Sequence, residues 1–250
     1  KTEELIHDRI YFRKFLDIKE EDTIPDETTI CKFRNALIKN NLLESIFKEV
    51  KNSMMEKNLI LNEGTLVDAT LIHSSEPKRK KDENGKTISN KANDEDASYT
   101  SKRGRKHHGY KIHIATDTNS IIKEVITTTA KTHDSTQFDE LIKDETKAVF
   151  ADSGYMSQNR KRELRAKGIF NGITERRVRG QSKLRVKQSK NNTKFSKVRA
   201  LVELPFAFIK KLMKYTETKY LGLHKNSQHV FLIAAAYNLR RMPKLIQRYE

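Results

Sequence analysis

Three short β-branched stretches, followed by alternating helix and strand patterns, constrain this chain more than any other feature. "TLVDATLI" at 65–72 is short and apolar and reads as a strand. "GYKIHIATD" at 109–117 alternates, with Tyr110, Ile112 and Ile114 on one face. "IIKEVITTT" at 121–129 returns as its hairpin partner across the turn residues "DTNS". Asp134 is placed to cap the next helix, with Gln137 completing a capping box and Phe138, Leu141 and Ile142 inside it. A buried strand at 147–151, a helix at about 158–166 and a short strand at 168–173 follow. Two more helices are expected at about 195–214 and 228–240. Three antiparallel strands and then alternating helix and parallel strand make an α/β mixed sheet flanked by helices.

Residues 1–60 read instead as a small all-helical domain, with Pro25-Asp26 starting its second helix and Leu42–Met55 forming its third. The chain opens inside a helical pattern, and a natural start further upstream is expected. The second domain then spans 61–250, with basic, polar insertions at about 74–108 and 174–195. The first insertion is expected to be exposed or disordered. Without the insertions, the strand order is the one that an RNase H-like domain requires.

The formal net charge of +17 points to a polyanionic partner, nucleic acid first. No stretch approaches the roughly 18 consecutive apolar residues of a membrane span, so no membrane partner is expected. Cys31 is the single cysteine, which excludes intramolecular disulfides and cysteine-based zinc clusters and fits a reducing cytoplasm. Of the eight histidines, His107 and His108 sit in a basic loop suited to phosphate contact or solvation.

The strand at 147–151 stops on Asp152, with Ser153 and Gly154 opening a turn, so turn chemistry alone explains this carboxylate. Asp68 lies mid-strand between apolar Val67 and Ala69, where a buried, unpaired carboxylate costs several kcal/mol. It therefore faces a cavity or a cation, or points outward from an edge strand. In "FSKVRALVELPFAFIKKLMKY" at 195–215, Arg199, Glu203 and Lys210 fall on one broad helical face. Pro205 is expected to kink or break that helix. Taken alone, Arg199 and Glu203 read as a surface ion pair worth a few tenths of a kcal/mol. Taken together the three carboxylates say more. The first and fourth strands are neighbours in this topology, so Asp68 and Asp152 approach across the ladder spacing of about 4.8 Å. Carboxylates that close repel unless a divalent cation lies between them, and hard oxygen ligands suit Mg²⁺ or Mn²⁺.

These motifs resemble those of bacterial insertion-sequence DDE transposases, in the group around insertion sequences four and five. Arg199-x3-Glu203-x6-Lys210 matches that group's Y-x2-R-x3-E-x6-K signature, except that Ser196 stands where the Tyr belongs. "TLVDAT" and "ADSGY" resemble the stretches carrying the first and second Asp. "DEDASYTSKRGRKHHGYKIHIATD" and "THDS" are similar to the central region, and the first 60 residues to the helical N-terminal domain. The resemblance implies Asp68, Asp152 and Glu203 as catalytic metal ligands for two Mg²⁺ or Mn²⁺ ions. It further implies cleavage at element ends and transfer of the 3′-OH into target DNA. The partners are then double-stranded DNA, as terminal inverted repeats and target, and a second copy in a homodimer on the DNA. Expected DNA contacts are Arg199 and Lys210, with Arg176, Arg177, Arg179, Lys183 and Arg185 from the second basic stretch. Two alternatives stay open: a nuclease of the same fold that cuts without joining, and a DNA-binding remnant without activity. Action in the bacterial cytoplasm, on the nucleoid, is expected.

Overall fold

A computed structural model of the chain describes residues 2–76, 79–81, 87–89, 94–102, 104–145, 147–177 and 180–249. The chain divides into two compact units, Lys1–Leu43 and Glu44–Glu250.

The first unit holds α1 (Thr2–Asp8), α2 (Ile10–Phe15) and α3 (Glu27–Lys39). Asp26 caps α3, its carboxylate accepting the Thr29 N–H at 2.6 Å, which is the start that Pro25-Asp26 signals. The apolar stripe from Leu5 to Leu16 does not form one helix. Arg9 is extended at φ −122°, and Arg13 Nε donates to the Ile6 carbonyl at 3.2 Å across the break. Tyr11, Phe15 and Phe33 are left exposed.

Helix α4 (Leu42–Glu56) leads into the second unit, where Phe47 and Val50 pack beneath the sheet. Next come β1 (Thr65–His73), β2 (Arg79–Lys81), β3 (Thr87–Ser89), β4 (Ser98–Lys102), β5 (Arg105–Thr116) and β6 (Ile122–Thr129). The remaining elements are α5 (Phe138–Leu141), β7 (Ala148–Ala151), α6 (Gln158–Ala166), β8 (Phe170–Asn171), α7 (Val186–Arg199), α8 (Glu203–Ala207) and α9 (Leu223–Tyr249). Among the described residues the main sheet runs β4-β5-β1-β7-β8, with β6 also paired to β5. Strand β5 pairs antiparallel with both β1 and β6, whereas β7 pairs parallel with β1 and β8 parallel with β7. This is an RNase H-like mixed sheet with helices on both faces.

Alternation along the strands builds the two cores. Leu66, Ile112, Ile114 and Val125 pack against Val202, Phe206, Ile209, Val230 and Ile233 on one face. Val67, Ala115, Val149 and Ala151 pack against Phe138, Leu141, Tyr155 and Leu164 on the other. Each fully buried aliphatic side chain contributes about 1.5–3 kcal/mol, which explains why this small sheet holds.

Two expectations give way to other local solutions, and a third holds in part. The stretch at about 74–108 is exposed at residues 101, 102 and 104–106, and among its described residues it also supplies β4 and the first part of β5. It is tied down by buried Asp94, which accepts from Tyr110 Oη at 2.6 Å, Ser74 Oγ at 3.3 Å and the Gly222 N–H at 3.1 Å. Polar anchoring of this kind leaves no hydrophobic period in the sequence. Asp134 is not the cap before α5. His133 caps the 3₁₀ turn at Asp134–Gln137 that leads into α5, its Nδ1 accepting the Ser135 N–H at 3.3 Å, while Lys111 holds the Asp134 carboxylate at 2.9 Å. Gln137 stands at the N-cap of α5 without a side-chain cap bond, so the expected capping box does not form. Finally, α7 begins at Val186, and Pro205 does not stop the chain's helical path. The backbone passes through a 3₁₀ turn at Ala200–Val202, then α8, then a π-helical turn at Phe208–Leu212. Pro205 sits in the first turn of α8, where its missing N–H costs little.

The β5–β6 turn is knotted by Asp117, which is fully buried and accepts the N–H groups of Leu61 and Ile121, each at 2.7 Å. Asp117→Ala orphans both donors and should lower unfolding stability by about 2–4 kcal/mol, since each buried unsatisfied donor costs about 1–3 kcal/mol. A chemical-denaturation curve with an unchanged midpoint would contradict this.

Candidate active site

The pairing of β1 with β7 sets the site. Its register is Thr65↔Val149, Leu66↔Phe150 and Val67↔Ala151, so the next two residues, Asp68 and Asp152, stand beside each other where the ladder ends. Side chains directly across a sheet share a face, and both carboxylates lie on the face that carries α7 and α8. Asp68 Oδ1 accepts the Ala69 N–H at 2.8 Å. Asp152 caps the following 3₁₀ turn, Oδ1 accepting the Gly154 N–H at 2.6 Å. Its turn role and its place beside Asp68 therefore coexist.

Glu203 is the first residue of α8. It lines an open cavity of about 630 Å³ together with Asp68, Asp152, Arg199 and Lys210. The structure thus brings all three candidate carboxylates and both helix-borne cations to one cavity. Lys102 and Lys211 line it as well, and neither stands out in the sequence. Lys102 lies inside the polar stretch at about 74–108, where "SKRGRK" is the only cue. Lys210 sits within the π-helical turn, a local geometry frequent at functional sites.

Charge is unbalanced in this cavity. Burial pushes the Asp68 carboxyl up to about 6, with the Asp152 and Glu203 charges adding to it and the Ala69 N–H and Arg199 opposing. Burial, and then the neighbouring Lys102 ammonium, lower the pKa of Lys210, while Glu203 opposes. Among the described residues, no three acidic, His or Cys side chains stand close enough together to hold one ion. The three carboxylates line the cavity without closing on a single point.

The second basic stretch lies apart from this cavity. Arg176, Arg177 and Lys183 line their own cleft of about 690 Å³. Arg176 Nε donates to Ser153 Oγ at 3.0 Å, which joins that cleft to the turn after Asp152. Arg185 is the N-cap residue of α7, its N–H donating to Gln188 Oε1 at 3.0 Å. Arg179 lies outside the described residues. In the β4–β5 ladder, His108 is buried against the Tyr99 ring at 4.6 Å.

The family model described as a transposase DDE domain matches residues 61–239, which include all three carboxylates. The chain belongs to the DDE transposase family. A second model, described as a transposase domain (DUF772), matches residues 1–36 of this transposase. No solved structure matches the chain. Among the described residues, no helix of the transposase is long and apolar enough to cross a membrane.

The buried charge on Asp68 should cost this DDE domain stability. Above about pH 6 the folded state carries the ionised carboxylate at a penalty, and the penalty disappears as pH falls towards 3.8 and the proton binds. Measured in EDTA at pH 8, Asp68→Asn should therefore be more stable than wild type by about 1–3 kcal/mol. That gap should close on acidification. A less stable variant at pH 8 would show that Asp68 is fully compensated in the free protein.

Proposed function

We propose that this transposase cleaves DNA at the ends of its element and transfers the freed 3′-OH into target DNA. The observation that supports this reading is the gathering of Asp68, Asp152 and Glu203 on one cavity rimmed by Arg199, Lys102, Lys210 and Lys211. Three hard oxygen donors, one of them with its pKa raised by burial and by the other two, fit a pair of Mg²⁺ or Mn²⁺ ions. Asp68, Asp152 and Glu203 would hold them, and when bound they would supply charge stabilisation at a phosphodiester and a more acidic water. The chain's own groups do the rest. Arg199 tempers the carboxylate repulsion and faces the phosphate. Lys210 and Lys211 hold backbone oxygens at the rim, and the open cavity admits a strand without requiring a base-specific pocket. Arg176, Arg177 and Lys183 track the DNA further along, since phosphate contacts position a duplex without reading its sequence. Joining requires two element ends at one target, which a homodimer on the DNA would present together. With inverted repeats and target on the chromosome, this chemistry would take place in the cytoplasm, on the nucleoid.

The decisive experiment incubates the protein with Mn²⁺, a labelled duplex carrying the repeats that flank its gene, and unlabelled target. Nicks at the repeat boundary and a labelled strand-transfer product are expected. Nicking without any joined product would reduce the activity to that of a nuclease. Asp152→Asn should abolish nicking while DNA affinity stays within about twofold, because shape is kept and only a charged ligand is removed. Persistent nicking would refute the ligand assignment. Replacing Arg176, Arg177 and Lys183 by Gln should weaken binding to all sequences alike. The plot of log affinity against log salt should flatten by about 0.9 for each phosphate that the protein no longer neutralises. An unchanged slope would remove this cleft from the DNA path.

A further inference from the structure

Strand β5 cannot be straight. Lys102 pairs with Arg105 at the tip of the β4–β5 hairpin, while Asp68 pairs with Ile114 on the same strand. A straight strand at about 3.3 Å per residue would hold those two levels about 30 Å apart. Yet Lys102 and Asp68 line one cavity. A second region agrees, since Thr100, Ser101 and Lys102 share a cleft with Ala69, Thr70 and Leu71 of β1. The hairpin therefore folds back along β1. Its corner is Gly109, at φ +147°, where a Cβ would stand 2.1 Å from the Ile72 carbonyl oxygen. Only glycine fits both the backbone angle and the approach.

The base of this hairpin is anchored and its tip is open. Asp94 is buried in its hydrogen bonds to Tyr110, Ser74 and Gly222, and Ser98 Oγ accepts the Lys131 N–H at 2.8 Å. Residues 101, 102 and 104–106 are exposed. None of the ion pairs among the described residues engages Lys102. The hairpin thus delivers an ammonium beside Lys210, on a cavity that also holds three carboxylates.

We propose that the β4–β5 hairpin is a DNA-gripping arm, and that Lys102 and Lys210 together hold a backbone phosphate next to the reacting one. This rests on the phosphodiester reading above. Two ammonium groups crowded on one wall repel until an anion lies between them, and a phosphate offers oxygens to both. The carboxylates cannot take that place if they hold metal ions. The arm comes from the β4–β5 end of the sheet order and the Arg176 cleft joins the turn after β7, so a strand entering the cavity would meet cations from two separate parts of the fold.

The test uses the full chain, in wild-type and Asp152→Asn backgrounds, each with and without Lys102→Gln or Lys102→Arg. Binding to a duplex is measured against salt concentration, and cleavage is followed in Mn²⁺. Lys102→Gln should flatten the log–log salt plot by about 0.9 and slow cleavage at least tenfold, and Lys102→Arg should restore both. A series of duplexes with single uncharged methylphosphonates locates the phosphate that is gripped. One position flanking the cleaved bond should weaken wild-type binding more than it weakens binding by Lys102→Gln, which keeps only the Lys210 contact there. Salt slope and cleavage equal to wild type in Lys102→Gln would overturn the arm, even while Asp152→Asn abolishes nicking and upholds the catalytic reading. A Lys102-dependent slope in a wild-type protein that never cuts would uphold the arm and overturn the catalytic reading instead.

Discussion

The parallel ladder between β1 and β7 is the interaction on which the site depends. It is short, ending at Val67↔Ala151, and that brevity matters. One further pair would bury both carboxylates in the sheet, where two adjacent charges in low dielectric could not both stay ionised. One fewer would let the Asp152 turn swing free. Strand pairing holds the two backbones about 4.8 Å apart, so the repulsion between the side chains is built into the fold. Packing of Val67, Val149 and Ala151 against Phe138, Tyr155 and Leu164 on the opposite face holds the ladder closed.

The other parts of the cavity reach it by different routes. Glu203 arrives because the chain changes helical type twice between Ala200 and Leu212, which lets Val202, Phe206 and Ile209 stay in the core while Glu203 and Lys210 face outward. Lys102 arrives through a backbone corner and a polar anchor rather than through apolar packing. The two aspartates are thus held by rigid core strands, and the cations come from helical turns and a hairpin tip. That division would suit the proposed chemistry, with metal ligands held on strands and a phosphate backbone met by longer, adaptable side chains.

Much of the architecture was legible because alternation and apolar run length report burial directly. The strands at 65–72, 109–117 and 121–129, and the run ending at Asp152, are such signals, and the observed β1, β5, β6 and β7 follow them closely. Arg199, Glu203 and Lys210 could be grouped by helical spacing alone, and they do share a cavity with the two aspartates. The polar devices were not legible in the same way. Asp94 reads as one more charge in a charged stretch, Asp134 reads as a cap until Lys111 claims it, and Pro205 reads as a break although it sits in the first turn of a helix.

Residue order by itself determined the mixed sheet, the cationic surface and three carboxylates carried on core strands and a helix, because periodicity and charge are local properties. Which side chains meet was decided only by tertiary structure. Lys102 and Asp68 lie thirty-four positions apart (102 − 68 = 34), on strands whose pairing alone would separate them. What joins them is a bend at Gly109, where the Ile72 carbonyl leaves no room for a Cβ and only glycine fits. Such a meeting depends on the path of the backbone through space, and no pattern of neighbours along the chain encodes it in readable form.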